Sequence, residues 1–342
     1  MRRITWVDPL LVAPAILLSG FSVIVLRSVV PQEAGQQLLF IAIGAIAFLL
    51  TSQTDFRVLN RFSKLFYTLG VGLLTATIIF GQVTRGSVRW LEFGPLSVQP
   101  SELLKPVMIL SLAHFASRRN LKVTKNLVTY AALALFPMVL VFIEPDLGSS
   151  LVLSLIAVAI AFAAGASLKG LLGAALVSVA TLPMVFRFLK PYQQDRLRAF
   201  INPFSDPLGS GYNVIQAMIA VGSGKIFGRG LGHGTQSQLR FLPERHSDFI
   251  FASLAEELGF IGAAAVLACY AIICVRLLKS LKEDSDPSGN YILVGVLSMV
   301  LFQVAVNIGM NMGLLPITGI TLPLVSSGGS SMIATMASWG SR

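Results

Sequence analysis

Asp248 closes the run Pro243-Glu244-Arg245-His246-Ser247-Asp248 and stands directly ahead of the apolar Phe249-Ile250-Phe251. A carboxylate in that place has two uses. It can cap the orphan amides of a helix start and gain from the helix dipole, or it can act as a general base at a membrane surface. Glu256 and Glu257 follow about two turns deeper, where a buried carboxylate needs a partner. A second set comprises Arg85, Arg89, Trp90, Glu92, Gln99, Ser101, Glu102 and Lys105. Ser101 reads as a helix cap with Glu102 in the first turn. Lys105, one turn further in, either snorkels outward or meets an anion, and Arg89 nearby favours the anion. The third set, Glu144-Pro145-Asp146-Leu147-Gly148, offers two carboxylates in a tight turn, suited to capping, to a cation or to pairing with basic residues. The fourth, Ser326-Ser327-Gly328-Gly329-Ser330-Ser331 after Pro323, is assigned to the last helix. Its small residues permit close helix packing or line a groove with hydroxyls for a polar headgroup. His114, His233 and His246 lack metal-ligand spacing. Cys269 and Cys274 lie five apart in an apolar stretch and suggest neither a disulfide framework nor a metal site.

Carboxylate, arginine and lysine beside lipid suit a lipid substrate that carries phosphate. In transfer from a sugar-diphosphate lipid, the acceptor hydroxyl needs a base, whereas the diphosphate leaves as an anion and needs cations or a metal. One carboxylate with Arg and Lys is then sufficient, unlike the carboxylate pair of glycosidases.

The elements that must position these residues are transmembrane helices. Hydrophobic residues make up 54% of the chain and charged residues only 12%, half the usual charged share of a soluble domain. Apolar runs long enough to cross a bilayer begin at Pro9, Gln37, Lys64, Glu102, Leu127, Leu147, Gly170 and Phe249, and the charge-free tail from Tyr291 to Ser341 divides near Gly313–Gly319 into two more. The reading is an all-α integral membrane protein of about ten transmembrane helices, one polytopic domain over residues 1–342. Residues 187–248 form a long extracytoplasmic loop between helices 7 and 8. Of 26 Lys and Arg residues, fourteen fall on the connections shared with the N-terminus, which places both termini in the cytoplasm. The other twelve lie on or near the outer face, eight of them in or beside the long loop. Inside that loop, Tyr212–Val221 reads as a helix lying on or re-entering the membrane. The glycines from Gly222 to Gly234 read either as a flexible turn or as backbone that approaches a ligand closely.

At these residues the chain resembles the SEDS proteins (shape, elongation, division and sporulation), specifically the RodA type. The segments that carry the resemblance run in order along nearly the whole chain: Arg89-Trp90-Leu91, Gln99-Pro100-Ser101-Glu102, Glu144-Pro145-Asp146-Leu147-Gly148, Asp206-Pro207-Leu208-Gly209, Gly234-Thr235-Gln236-Ser237-Gln238, Leu242 to Phe249, Ala255-Glu256-Glu257, Asn307-Ile308-Gly309 and Pro323-Leu324-Val325-Ser326. The Gly-Thr-Gln-Ser-Gln and Pro-Glu-Arg-His runs look like the elongation type more than the division type, FtsW. The resemblance implies a peptidoglycan glycosyltransferase that polymerises lipid II by inverting transfer, releasing undecaprenyl diphosphate at the outer face of a bacterial plasma membrane. It implies a class B penicillin-binding protein and the elongation machinery as partners, a divalent cation (Mg or Mn) whose ligands the sequence does not reveal, and no nucleic acid. Asp248 corresponds to the family's essential aspartate. Arg89, Glu102 and Lys105 match further functional positions, and Arg245, Gln236 and Ser326 are grouped with them as substrate-binding. One departure is Ser247 where the family motif carries threonine, which keeps the hydroxyl. Two other readings stand beside this one: a transporter that flips the lipid-linked precursor, and a scaffold for the penicillin-binding protein. A transporter should hold paired charges near the bilayer midplane and broken helices in two related halves, whereas these ionisable residues gather on one side.

Overall fold

Among the described residues ten helices fall on the ten apolar runs. The computed structural model describes residues 8–84, 87–93, 96–283 and 286–340, so Arg85, Arg2, Arg3 and Arg342 lie outside the described residues. In chain order the elements are α1 (Pro9–Val29), α2 (Pro31–Gln53), α3 (Phe56–Arg61), α4 (Ser63–Phe80), β1 (Gln82–Thr84), β2 (Ser87–Phe93), β3 (Leu96–Val98), α5 (Pro100–Arg118), α6 (Thr124–Ile143), α7 (Leu147–Ala163) and α8 (Leu168–Phe188). Then follow α9 (Pro191–Ile201), a 3-10 turn (Pro203–Ser205), α10 (Tyr212–Ser223), α11 (Thr235–Gln238), α12 (Ile250–Glu283), α13 (Pro287–Asn311) and α14 (Gly329–Gly340). Proline opens α1, α2, α5, α9 and α13, where its missing N–H costs nothing. Aspartate side chains cap α1, α3, α7 and α13.

Among the described residues six helices, α1, α2, α4, α6, α12 and α13, are long and apolar enough to cross a membrane. Together with the shorter apolar α7 they make a multi-pass membrane protein. Its outside is oily where a soluble protein would be polar: Ile16, Leu50, Phe80 and Leu176 are all largely exposed. The core is centred on α5, α7 and α13, where Met108, Leu112, Ile156, Ile160 and Val300 are fully buried.

The structure adds three features to the expected bundle. The α4–α5 connection forms a small antiparallel sheet in the order β1-β2-β3, which carries Arg89 on β2. The last crossing is only partly helical: α14 has 12 residues, too few to span about 30 Å at 1.5 Å per residue. Residues 313–328 complete it as non-helical chain, so Ser326, Ser327 and Gly328 precede the last helix instead of lying in it. Such backbone is tolerated at membrane depth only when buried in protein and hydrogen-bonded. Asn307 donates to the Ile320 carbonyl at 2.7 Å, Tyr270 to the Pro323 carbonyl at 2.5 Å, and the Leu322 amide to Ser326 Oγ at 2.8 Å.

The third feature is a break in α12 at Gly259, whose φ of 66° and ψ of −165° are not helical. The loop after α10 repairs it. Phe260 and Ile261 donate their amides to the carbonyls of Lys225 and Ile226, at 2.9 and 3.2 Å, and the Glu256 and Glu257 carbonyls accept from Arg229 and Gly230, at 2.9 and 3.0 Å. The glycines of this loop therefore serve backbone-to-backbone contact: a Cβ on Gly228 would stand 2.1 Å from the Glu257 carbonyl oxygen.

Candidate active site

The turn that ends in Asp248 is held by its main chain. Asn307 and Asn311, one turn apart on α13, each donate a side-chain N–H to the Asp248 carbonyl at 3.1 Å, and Asn311 Oδ1 accepts the Ala252 amide at the start of α12. From the other side, Ser326 Oγ donates to the Ser247 carbonyl at 2.7 Å and the Ser327 amide to the His246 carbonyl at 2.8 Å. With the carbonyl so anchored, the half-buried carboxylate of Asp248 points towards Gly319. A Cβ built on Gly319 would lie 3.5 Å from Asp248 Oδ2 and 3.7 Å from Arg196 Nη1. Gly319 has a φ of 74°, a region that favours glycine, and without a side chain it leaves the space between that acid and that base clear.

Arg196 belongs to α9. Its guanidinium stacks on Tyr192, one turn earlier, 5.7 Å from the ring centre. Tyr192 and Gln193 in turn donate to the Pro145 carbonyl at 3.1 and 3.4 Å, which fastens α9 to the α6–α7 turn. Between them lies a cavity of about 100 Å³ whose walls include Arg89, Arg196, Tyr192, Leu151 and Ile317.

Asp146 ties Arg89 to α5. It caps α7 by accepting the Ser149 amide at 3.0 Å, accepts from Gln99 at 2.9 Å and Ser101 at 3.1 Å, and has Arg89 Nη1 at 3.9 Å. Ser101 is thus a donor to Asp146, with Gln99 at the N-cap of α5. Lys105 does not snorkel: it is 2% exposed and pairs with Glu102 at 2.5 Å. Glu144 is equally buried, and neither of its oxygens accepts a hydrogen bond. Burial, reinforced by the Asp146 charge and only partly offset by Arg89, pushes its carboxyl from 4.5 up to about 8.

Other sequence-marked residues have their own partners. Arg245 lies near Arg240 and Glu33, and burial, ahead of the Arg240 charge, pulls its guanidinium below the usual value. Glu33 also takes His246 Nε2 at 3.4 Å and Ser327 Oγ at 2.7 Å, linking α2 to the Asp248 turn. Gln236 donates its amide to Glu256, which is fully buried and also accepts from Thr235 and from both the amide and hydroxyl of Ser237. Glu257 accepts from Ser28, Gly232 and Gln238. These two carboxylates fasten the connection between α10 and α12 to α12, and the Ser326 hydroxyl is engaged with main chain on both sides. The geometry therefore brings Asp248 to Arg196 over Gly319 and Arg89 to the cavity that Arg196 also lines, while Glu102 and Lys105 pair with each other. It adds Arg196, Asn307 and Asn311. The two asparagines carried a readable signal, since polar residues at i and i+4 in an apolar span are expensive. Arg196 was one of eight loop bases with nothing to single it out. Among the described residues no three His, Cys, Asp or Glu side chains converge as metal ligands.

Comparison with known proteins agrees with this architecture. A family model described as cell cycle protein, covering FtsW, RodA and SpoVE, matches residues 10–341. The chain is 39% identical over 339 residues to the peptidoglycan glycosyltransferase MrdB of Escherichia coli, covering 97% of this chain and 91% of that protein. It is 36% identical over 312 residues to the stage V sporulation protein E of Bacillus subtilis, covering 90% and 85% respectively. Among solved structures it superposes on a chain of a peptidoglycan synthase complex that coordinates polymerization and crosslinking, with a TM-score of 0.85, 29% identity, and coverage of 99% and 96%. The rod shape determining protein RodA of Thermus thermophilus gives a TM-score of 0.75 at 27% identity, covering 98% and 95%.

Proposed function

This chain belongs to the FtsW, RodA and SpoVE family of cell cycle proteins, and from that membership we propose that it is a peptidoglycan glycosyltransferase that polymerises lipid II for cell elongation. The observation that carries the proposal is the approach of the Asp248 carboxylate and Arg196 to one point above Gly319, with Arg89 in the wall of the cavity that Arg196 also lines. A carboxylate anchored through its own backbone can take the proton from an acceptor sugar hydroxyl as that oxygen attacks the anomeric carbon of the donor. The bond from that carbon to the diphosphate breaks, and undecaprenyl diphosphate leaves with its charge facing arginine. A single displacement inverts the configuration. Both termini lie in the cytoplasm of a plasma-membrane protein in this reading, and the site opens to the outer face, where a class B penicillin-binding protein and the elongation machinery receive the glycan.

The divalent cation implied by the family does not fit a protein-only cage, since no three candidate ligands converge among the described residues. One or two carboxylates completed by substrate phosphate is the arrangement Mg²⁺ commonly takes, and Asp248 or Asp146 with the diphosphate would supply it.

A transporter shares one feature with this chain, the broken helix α12. The backbone groups freed at Gly259 go to the 225–230 loop, which favours a fixed joint over a midplane ion or substrate site. The deciding experiment supplies labelled lipid II to the chain purified with its penicillin-binding partner. Wild type should produce glycan polymer, and Asp248→Asn should lower the rate by about 10²–10⁴-fold with unchanged expression and partner binding. Unchanged polymer from Asp248→Asn would remove that residue as base, while lipid movement between vesicle leaflets without polymer would favour the transporter.

A further inference from the structure

We propose that Arg196 and Arg89 together form the seat for the diphosphate of the lipid donor, an assignment that rests on the glycosyltransferase reading and adds to it the residue that binds the leaving group. Three cations stood out in the sequence for that task, and the structure separates them. Lys105 is buried against Glu102, and Arg245 lies with Arg240 and Glu33. Arg89 lines the cavity, and the second cation in its wall is Arg196.

Four observations converge on this pair. Among the described residues that line the cavity none is acidic, and Leu147, Leu151, Leu197 and Ile317 give it an apolar wall beside the neutral Tyr192, Gln193 and Thr318. Two guanidinium groups in such walls attract an anion more strongly than they would in open water, and the planar fork of arginine matches phosphate oxygens. Arg196 is also held in advance: its side chain stacks on Tyr192, and Tyr192 and Gln193 fix α9 to the Pro145 carbonyl. The same Arg196 Nη1 and the Asp248 carboxylate approach one point above Gly319. Arg196 therefore stands between the base and the cavity, so a donor whose diphosphate rests on the arginines presents its anomeric carbon towards the hydroxyl that Asp248 deprotonates. Arg89, 3.9 Å from Asp146, lines the same cavity from β2.

The test measures inhibition of polymerisation by undecaprenyl diphosphate and by inorganic pyrophosphate, using the full chain with its penicillin-binding partner. In Arg196→Gln the inhibition constant should rise about ten- to hundredfold, the worth of a lost charge-assisted hydrogen bond, with the melting temperature unchanged. Arg196→Lys, which keeps a point charge, should stay within severalfold of wild type. Weakened inhibition by both compounds supports a seat for the anion itself. Weakened inhibition by undecaprenyl diphosphate alone, with pyrophosphate inert on wild type, supports the same seat reached through the prenyl chain. Unchanged inhibition by both in a folded Arg196→Gln overturns the assignment. Should that variant fail to fold, Tyr192→Leu, which leaves the guanidinium but removes its stacking partner, should show a severalfold rise, and no rise overturns it equally. If wild type makes no glycan, the enzymatic reading fails. The arginine seat is then judged separately by whether undecaprenyl diphosphate raises the melting temperature of wild type and not of Arg196→Gln.

Discussion

Asp248 divides its tasks between two groups of atoms. Its carbonyl takes two asparagine donors from α13, so the residue stays in register with the helix core while the carboxylate faces Gly319 and Arg196. Glu144, on the α6–α7 turn, represents the opposite case: a buried carboxyl whose oxygens accept no hydrogen bond and whose charged form is disfavoured, first by burial and then by Asp146, against the pull of Arg89. The consequence for stability has a definite sign. A carboxyl raised from 4.5 to about 8 in the fold stabilises the native state fully below pH 4.5, and that contribution is lost as pH rises through 8. Glu144→Gln removes the ionisation and keeps the shape. Its melting temperature relative to wild type should therefore rise between pH 5 and pH 9, because only the wild type has to meet the cost of ionising the buried carboxyl. A difference independent of pH would show that Glu144 is ionised throughout. At this scale the sequence draws the eye to Asp248, Arg89 and Lys105, because charge beside an apolar run stands out, whereas the pairing that buries Lys105 against Glu102 shows only in the fold. Arg196 was hidden because its importance depends on Tyr192 meeting Pro145, 47 residues away in the chain, and no local pattern encodes that contact.

Among the elements, α12 shows best what apolar runs reveal and what they conceal. Its existence and approximate start follow from Phe249 onward, but the break at Gly259 does not, since one glycine in a hydrophobic span is ordinary there. What compels the break is the fit of another segment: Gly228 and Gly259 meet so closely that a Cβ on Gly259 would lie 2.2 Å from the Gly228 amide nitrogen. The β1–β3 sheet was missed for a related reason, as its strands of three and seven residues are too short to show a period. Gly228 also has a φ of 80°. Gly228→Ala should thus lose roughly 1–3 kcal/mol to backbone strain alone, and more where the loop parts from α12. Because Glu256 and Glu257 hold the same loop through their side chains, the expected result is local: a lower melting temperature with faster proteolysis at 224–238, while the half of the bundle away from Asp248 keeps its protection. Uniform loss of protection would mean that the joint is integral to the bundle.

The whole molecule is a bundle whose polar chemistry is displaced to one end. Exposed Ile16, Leu50, Leu135, Leu176 and Leu267 make lipid the natural solvent for the flanks, and the helices they lie on were legible because the bilayer imposes length and apolarity together. Charge then orients the bundle. Arg57 and Arg61 on α3, Arg118 and Arg119 at the end of α5, and Lys122 before α6 all belong to the fourteen bases assigned to one side. Arg89, Arg196 and Arg245 belong to the twelve assigned to the side of Asp248. Negative cytoplasmic lipid attracts basic flanks, so the fourteen should face inward and the site outward. Single cysteines can decide this, since native Cys269 and Cys274 lie within α12, one buried and the other partly buried, and should give little background. Leu208 on the long connection is 91% exposed and Val123 on the α5–α6 connection 49%. With a membrane-impermeant maleimide on intact cells, Leu208→Cys should label at once and Val123→Cys only after the membrane is opened. The reverse pattern would put Asp248 and both arginines of the diphosphate seat in the cytoplasm, away from any outer-face glycan.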